Sequence, residues 1–436
     1  MSDFDGNPSH PPHESAAPPL PLSEGASSAS AALPAEAPRP RHPLHPLAGV
    51  VGVFVCGLVA FLTLYSTQPL LPLFEALFHA SKSAVGWTVS ASTLGVAIAA
   101  PLLGTFTERM NRKRVILISL VLMALPTCAA ATSNTLGWLV FWRLLQGLVT
   151  PGIFATTIAY ITEAWPPTAI APVMSIYVSG TALGGFSGRA VAGIVADHAS
   201  WRASFLVLGA MSIGGAALVA WLLPNRPSSH RGATRPALRQ VFMPMLHHLR
   251  NPRLLTTYLV GFNVLFSLVG VFTYITFYLA APPFSLSTAK LSLLFVVYLV
   301  GLVATPLAGA LLPRVGLRTG ITGSILLSLV GVLLTLVHSL PVVITGLALC
   351  CTGVFISQSC ATSFLREAAS ESSRASAVGM YVACYYIGGT VAGVAPSLVW
   401  KFGGWTACAA MIALIDVVSI VIARRGWRDA VPASVC

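Results

Sequence analysis

Long apolar segments separated by short polar ones run through the chain from about residue 48 onward. Residues 83–107 contain no Asp, Glu, Lys or Arg, and residues 115–142 contain none either. The charged stretch GTFTERMNRKR, residues 104–114, joins these two segments. About 20 apolar residues let a helix cross the hydrocarbon core of a membrane, and a helix satisfies its backbone hydrogen bonds within its own segment. The pattern therefore predicts two membrane-spanning helices joined by a charged turn.

The same reasoning predicts an all-α membrane protein with twelve spans in two bundles of six. The spans are expected at about residues 48–73, 84–106, 115–132, 137–162, 173–198, 201–223, 254–280, 290–312, 317–338, 342–365, 377–400 and 404–424. The predicted domains are a tail (1–47), a first bundle (48–223), a basic linker (224–253), a second bundle (254–424) and a second tail (425–436).

The two bundles repeat one another in sequence. ATPLAGALLPRVGLR around Gly309 echoes AAPLLGTFTERMNRK, and YVACYYIGGTVA echoes YVSGTALGGFSG. The matched pairs include Gly104 with Gly309, Gly184 with Gly388, and Trp201 with Trp405. Two echoes at nearly the same offset predict a duplicated unit of about 200 residues and two pseudo-symmetric bundles.

Composition agrees with a membrane protein. Hydrophobic residues make up 55% of the chain and charged residues 9%, against about 25% charged residues in soluble domains. The net charge is +12, and we place 19 of the 25 Lys and Arg residues on one side of the membrane. Short loops rich in Lys and Arg stay in the cytoplasm. The charge therefore indicates orientation, with both termini cytoplasmic, and not nucleic-acid binding.

The tail and the cysteines add little chemistry. Residues 1–47 hold eleven of the 31 prolines and show no apolar periodicity, which predicts a disordered cytoplasmic tail and not a secretory signal. Seven of the eight cysteines lie within apolar segments, where a free cysteine behaves as a small hydrophobic residue. We expect no metal site and no disulfide.

Two motifs resemble those of a known family. The turn between spans 2 and 3 fits G-x-x-x-[DE]-R-x-G-R-[KR]-[KR], except that Asn111 stands where glycine is usual. The matching residues are Gly104, Glu108, Arg109, Arg112, Lys113 and Arg114. In span 4, Arg143, Gln146 and Gly147 fit R-x-x-Q-G. With the twelve-span layout, these motifs resemble the major facilitator superfamily, and within it the drug:proton antiporter branch and its arabinose-efflux-permease-like bacterial inner-membrane proteins.

A third motif departs from the pattern of that branch. In span 5, Gly184, Gly188 and Gly193 fit G-x-x-x-G-P-x-x-G-G, but Arg189 replaces the proline and Ala192 the first of the last two glycines. The glycines are expected to let span 5 approach a neighbouring helix closely. The departure places a cation inside a membrane helix.

The resemblance implies a secondary transporter that exports a drug, sugar or metabolite in exchange for protons by alternating access of two bundles. It implies a bacterial inner-membrane location, a small-molecule substrate and protons as partners, no cofactor besides the proton gradient, and a monomer in the lipid bilayer. No G-x-x-x-x-G-K-[ST] motif for ATP is present. Uptake or facilitated diffusion on the same fold is the main alternative. A sensor or an intramembrane enzyme is a remote one, because no span carries paired catalytic groups.

Arg143 and Arg189 are the main functional candidates. A buried arginine in a membrane helix costs at least ~2.5 kcal/mol, so it normally faces a cavity or a partner. Our hypothesis is that both create a positive potential in the outer cavity, which binds an anionic group or tunes a proton carrier. The alternative is structural: each side chain reaches the headgroups or bonds to backbone carbonyls.

Candidate proton carriers are few. Glu163 at the end of span 4 and Asp197 at the end of span 5 are the main candidates. Asp197 lies eight residues after Arg189, which places it about 80° away around the helix. Carboxylates at helix ends are also commonly solvated. Asp416 lies within span 12, which is usually peripheral in the family that the chain resembles.

The resemblance also implies a latch and a substrate cavity. Gly104, Glu108, Arg109 and Arg112 match the family's latch, in which the acidic residue faces the N-terminus of span 11 and stabilises the outward-facing state. The alternative is a simple positive-inside anchor. The expected cavity residues, which lie on inner helices and include interfacial aromatic residues, are Tyr65, Gln68, Gln146, Asn263, Tyr274 and Gln358.

Overall fold

Helices form the regular structure in the part of the chain that the computed structural model describes, which is residues 46–106, 110–225 and 238–427. Eleven of these helices are long and apolar enough to cross a membrane, and a shorter apolar helix begins the first span. Because such helices satisfy their own backbone hydrogen bonds in lipid, the protein is an all-α membrane protein. The predicted fold class is confirmed.

The described helices make up twelve spans. The first half contains Pro46–Leu62, which continues through the short turn Gln68–Leu70 into Leu71–Leu77 (span 1), Lys82–Phe106 (span 2), Arg112–Ala130 (span 3), Leu136–Ala164 (span 4), Pro167–His198 (span 5) and Trp201–Leu222 (span 6). The linker contains the helix Leu238–His247 and the turn His248–Arg250.

The second half has the same order. It contains Pro252–Ala280 (span 7), the consecutive segments Thr288–Leu293, Leu294–Val300 and Gly301–Val315 (span 8), Leu317–Leu334 (span 9), Leu340–Ala368 (span 10), the turn Glu371–Ser373, and Arg374–Val394 (span 11). The last helix, Pro396–Gly426, has non-helical backbone at Gly403 and Gly404. Residues before this bend extend span 11, and residues after it form span 12.

Polar residues in the loops mark where several spans begin. Thr135, Ser200, Asn251 and Ser287 each accept a hydrogen bond from a backbone N–H in the first turn of the following helix. The first N–H groups of a helix have no partner within it, so such caps stabilise its start. Asn111 caps span 3 in the same way, with φ of −58°. Its role here is therefore a helix cap and not a left-handed turn.

The internal repeat reappears in the packing of the helices. A Cβ atom built on Gly184 would lie 2.0 Å from the carbonyl oxygen of Leu58, and one built on Gly388 would lie 2.0 Å from that of Phe262. Only glycine permits backbones to approach this closely. Leu58 and Phe262 are separated by the same 204 positions as the two glycines. Spans 1 and 5 therefore pack as spans 7 and 11 do.

Aromatic contacts show the same relation. The Trp201 ring packs edge-on against Phe74, with centroids 5.5 Å apart. In the second half, Trp405 packs against Tyr278 at 6.3 Å. Phe74 and Tyr278 are again separated by 204 positions. The two halves are thus pseudo-symmetric, as the repeat predicts.

The helix bundle has two ends, one at each face of the membrane. We call the end with the linker helix and the turn between spans 2 and 3 the linker side, and the opposite end the far side. The halves contact each other along spans 2 and 11 and along spans 5 and 8. These two contact regions flank the space between the halves.

Candidate functional site

A cavity of about 440 Å³ lies between the two halves. Spans 1, 4 and 5 line it from the first half, and spans 7, 8, 10 and 11 from the second. Its walls include nine aromatic side chains, which are Phe61, Tyr65, Phe154, Tyr177, Tyr298, Phe355, Tyr381, Tyr385 and Tyr386. Among the described lining residues, Arg189 is the one with a charged side chain.

Hydrogen bonds hold Arg189 at the cavity wall. The side chain is 1% exposed. Its Nε donates to Gln68 Oε1 at 2.8 Å, and its Nη1 donates to the carbonyl oxygen of Gly185 at 2.5 Å. Gln68 in turn donates through Nε2 to Thr273 Oγ1 at 3.1 Å. This chain of bonds runs from span 5 through span 1 to span 7, so it connects the two halves.

Three aromatic rings surround the guanidinium group of Arg189. Its central carbon lies 4.8 Å from the Tyr65 centroid, 4.8 Å from that of Phe295 and 4.4 Å from that of Tyr298. A desolvated cation over an aromatic face gains about 2 kcal/mol. The rings therefore offset part of the cost of burying this charge, and two of them belong to span 8 of the other half.

Arg143 has a different environment and does not line the cavity. It is fully buried and donates to the carbonyl oxygens of Thr88, Thr63 and Leu64 and to Gln146 Oε1. The carbonyls belong to spans 1 and 2, so Arg143 fastens span 4 to both. This geometry matches the structural alternative for Arg143.

The halves are in contact on the far side. Ser90 Oγ on span 2 donates to the carbonyl oxygen of Thr390 on span 11 at 2.7 Å, and the hydroxyls of Thr93 and Thr390 lie 3.1 Å apart. Ser292 Oγ on span 8 donates to the carbonyl oxygen of Ala190 on span 5 at 3.4 Å. These contacts close the space between the halves on the far side of Arg189.

A charged group reinforces this closure. Lys82 Nζ at the start of span 2 forms an ion pair with Glu75 at 2.5 Å. The same Nζ lies 5.1 Å from the ring centroid of Phe277 and 5.2 Å from that of Trp400. Both rings belong to the second half, so Lys82 joins the halves at the far-side surface.

The cavity opens toward the linker side. Ile158 on span 4 and Val178 on span 5 line it near that side and are exposed. Where both partners are described residues, the hydrogen bonds between the two six-span halves lie on the far side. In this conformation these contacts close the far side of the cavity, while its exposed lining residues lie toward the linker side.

The structure brings some of the predicted cavity residues together. Tyr65 and Gln358 line the cavity, and Gln68 contacts Arg189 at its edge. Gln358 Oε1 accepts a hydrogen bond from the hydroxyl of Tyr381 at 2.8 Å.

Three other predicted cavity residues lie elsewhere in this conformation. Gln146 is buried against Arg143. Asn263 donates to Asp416 Oδ1. The Tyr274 hydroxyl donates to the carbonyl oxygen of Gly393 at 2.9 Å.

The predicted proton carriers do not line the cavity. Glu163 pairs with Arg112 at 2.9 Å on the linker side, so the structure joins a proton-carrier candidate to a latch candidate. Asp197 is exposed at the far-side end of span 5. Gly104 lies near the end of span 2, while Glu108 and Arg109 lie outside the described residues.

Sequence reasoning missed the rings on span 8. Phe295 and Tyr298 lie in an ordinary apolar segment, and nothing in their spacing indicates contact with an arginine of the other half. The available signal was indirect, because a buried arginine requires partners. Asp416 lies within the predicted span 12, but the sequence does not indicate its burial at the contact of spans 7 and 12.

Comparisons with known proteins agree with this architecture. A family model described as Major Facilitator Superfamily matches residues 53–392 and 279–434. The MFS-type transporter YybF of Bacillus subtilis (strain 168) is 30% identical over 367 residues, covering 84% of this chain and 90% of that protein. The inner membrane transport protein YnfM of Escherichia coli (strain K12) is 29% identical over 383 residues, covering 87% and 90%.

Two solved structures share the fold. A point mutant of the nucleoside transporter NupG has a TM-score of 0.73 at 15% identity, covering 87% of this chain and 100% of that one. A bacterial homologue of the human lysosomal transporter Spinster, in an inward-facing and unoccupied conformation, has a TM-score of 0.68 at 14% identity, covering 88% and 99%. At these identities the likeness concerns the fold alone.

Proposed function

The chain belongs to the Major Facilitator Superfamily and is a membrane transporter related to bacterial inner-membrane proteins, and we propose that it exports a small organic molecule in exchange for protons. The central cavity carries this proposal. It lies between two pseudo-symmetric halves, opens on one side, and holds a single cation among its described lining residues. In transporters built this way, rocking of the halves exposes a midplane site to each side in turn.

The orientation of the cavity follows from charge. We assign the linker side to the cytoplasm, because most Lys and Arg residues lie in loops on that side. The structure then represents the inward-open state, and the contacts of Ser90, Ser292 and Lys82 form the closed periplasmic gate. Export requires these contacts to break after substrate has entered from the cytoplasm.

The cavity walls favour a particular class of substrate. Nine aromatic side chains provide flat apolar surfaces, and Arg189 supplies one positive charge. Aromatic walls suit planar or apolar molecules, and the guanidinium group binds carboxylates, phosphates or neutral hydrogen-bond acceptors. A permanently cationic molecule would be repelled by Arg189. We therefore propose an amphipathic substrate that is neutral or carries an anionic group, and this favours a metabolite or weakly acidic drug over a cationic dye.

Transport by purified protein in proteoliposomes tests the function. Sugars, nucleosides, aromatic organic acids and cationic dyes are screened under an imposed proton gradient. We expect an aromatic acid or an uncharged aromatic molecule to move opposite to the proton flux. Substrate that moves with the protons would indicate uptake, and movement that ignores the gradient would indicate facilitated diffusion. Either result contradicts the proposal.

Substitution of Arg189 tests the site. Arg189→Ala removes the one cation of the described cavity lining, and we expect the transport rate to fall at least tenfold, since a lost charged hydrogen bond costs about 1.5–3 kcal/mol. Arg202→Ala is the matched control, because Arg202 is an exposed arginine at the far-side start of span 6. Equal transport by the Arg189 and Arg202 variants, at equal amounts of folded protein, would exclude Arg189 from the substrate site.

A further inference from the structure

Asp416 on span 12 is a buried carboxyl group outside the central cavity. Its side chain is 1% exposed. Its Oδ1 accepts hydrogen bonds from Asn263 Nδ2 at 2.9 Å and from Ser267 Oγ at 2.7 Å. Its Oδ2 is also buried and has no hydrogen-bond partner. The carboxyl group therefore contacts span 7 through one oxygen only.

The neighbours of Asp416 are neutral. Span 7 contributes Asn263 and Ser267. The titratable group that interacts with it from span 10 is the thiol of Cys350, whose sulfur lies 3.5 Å from the hydroxyl of Ser328 on span 9. Among the described residues, the interactions of Asp416 include no basic side chain, and neither described ion pair involves Asp416.

The nearest bases along span 12 are Arg424 and Arg425. They lie at least eight residues further along the helix, which is about 12 Å at 1.5 Å per residue. The group thus has no countercharge within contact distance on its own helix.

Neither protonation state of Asp416 is fully satisfied in this conformation. A carboxylate without a countercharge costs several kcal/mol when buried, so burial favours the neutral acid. The neutral acid has an O–H group, and at Oδ2 that donor has no acceptor. An asparagine would fill the same space without an ionisable group. This geometry indicates that the carboxyl group of Asp416 finds a partner for Oδ2 in another conformation of the protein.

Span 7 connects Asp416 to the closed gate. Ser267 lies six residues before Thr273, which accepts the hydrogen bond from Gln68. Gln68 is also the acceptor for Arg189 at the cavity wall. A change in the packing of spans 7 and 12 at Asp416 therefore acts on the contact between the halves through a single continuous helix.

We propose that Asp416 is the proton-binding group of this transporter, and that its protonation favours the conformation with the far side closed. Loss of the proton leaves a carboxylate that spans 7 and 12 do not accommodate when packed as they are here. The halves then shift, and the far side opens. The step is a simple exchange between carboxylic acid and carboxylate plus a proton. This inference rests on the proposed proton coupling, and it places the proton site apart from the substrate cavity.

Distance measurements on the protein without substrate test the inference. Spin labels are attached at Ala199→Cys and His338→Cys, which are exposed far-side positions in different halves. The described native cysteines are buried or half-buried, and Cys436→Ser removes the remaining one. In lipid nanodiscs, we expect the wild-type distance distribution to shift from short to long as pH rises, because the far side opens. In Asp416→Asn, which mimics the neutral acid, we expect this shift to be lost and the short distance to persist.

Two further variants make the test specific. Ser267→Ala removes one of the two donors to the carboxylate, and we expect the midpoint of the distance shift to move to higher pH with its amplitude retained. Glu371→Gln is the control, because Glu371 is an exposed carboxylate in the turn before span 11. We expect it to behave as the wild type does.

Other outcomes would overturn the inference. These are a wild-type distance that ignores pH, a shift that persists in Asp416→Asn, or a midpoint that Ser267→Ala leaves unchanged. Because the measurement needs no substrate, its failure is distinct from that of the proposed function. That function fails only if purified wild-type protein moves no substrate against the proton flux in proteoliposomes.

Discussion

Arg189 lies both at the cavity wall and in a chain of hydrogen bonds that connects the two halves. Its guanidinium group faces the cavity, yet its acceptor Gln68 also bonds to Thr273 in the other half. A substrate anion bound at Arg189, as we propose, would compete with Gln68 for the donors of the guanidinium group. Binding would then weaken a link between the halves and couple occupancy of the cavity to the far-side contacts.

The hydrogen bonds from Arg189 through Gln68 to Thr273 predict which of two substitutions lowers the stability of the protein more. Gln68→Leu leaves Arg189 Nε without its acceptor, and an unsatisfied buried charged group costs more than the 1–3 kcal/mol of a neutral one. Thr273→Val removes only the bond between two neutral groups. We expect the melting temperature of the purified protein to fall more in Gln68→Leu than in Thr273→Val. An equal or reversed order would mean that the Arg189–Gln68 bond contributes little to stability.

The sequence predicts that a buried arginine such as Arg189 needs partners, but it predicts only some of the residues that serve as those partners. An arginine within a membrane helix requires compensation, and Tyr65 and Gln68 are candidates because they lie on an inner helix. Phe295 and Tyr298 are not predictable in this way. They reach Arg189 only because span 8 packs against span 5 across the two halves.

At the scale of elements, close helix contacts depend on glycine. A Cβ atom built on Gly188 would lie 1.7 Å from the carbonyl oxygen of Leu62, and one built on Gly193 would lie 2.3 Å from Cβ of Ser292. The first contact lies within one half, and the second lies between the halves. The glycine spacing predicts close packing of span 5, but it does not distinguish these two neighbours.

Gly188→Ala should therefore disrupt the packing of spans 1 and 5. The new methyl group meets backbone, which cannot move aside as a flexible side chain does, so we expect a loss of folded protein. Gly214→Ala in span 6 is the control, because nothing lies within 4 Å of a Cβ atom there. That change should be neutral or stabilising by up to ~1 kcal/mol. Size-exclusion chromatography of the two variants measures the difference, and equal recovery would contradict it.

The first residue of a helix is predictable from the sequence where a capping residue precedes it. Ser200, for example, accepts a hydrogen bond from the N–H of Ala203, and span 6 begins directly after it, at the predicted residue 201. Span 5 differs, since it begins at Pro167 where 173 was expected. Its first six residues, PTAIAP, contain two prolines, and Pro172 inside the helix is a usual signal for a helix boundary.

At the scale of the whole molecule, and among the described residues, the far-side contacts between the two halves are few and mostly neutral. Ser90, Thr93 and Ser292 contribute hydrogen bonds between the halves that are each worth about 0.5–1.5 kcal/mol. Weak contacts suit a gate that must open in every transport cycle. The sequence repeat predicts two halves, but it does not reveal which face is closed, because the choice depends on these small differences in free energy.

Loss of the Lys82 side chain should shift the equilibrium between the closed and the open far side. Lys82→Gln removes the ion pair with Glu75 and the contacts with Phe277 and Trp400. A partly exposed cation over an aromatic ring contributes about 0.5–1 kcal/mol. A loss of about 1 kcal/mol changes the ratio of closed to open far side roughly fivefold. We expect the spin-label pair at positions 199 and 338 to report a larger long-distance population.

Lys401→Gln separates this effect from a general change in surface charge. Lys401 is an exposed lysine on the same side, but its ammonium group lies over Phe402, the adjacent residue, and so it joins nothing across the halves. We expect its distance distribution to match that of the wild type. If the two lysine variants open the far side equally, the charge of that surface, and not the contact of Lys82 with the second half, holds the halves together.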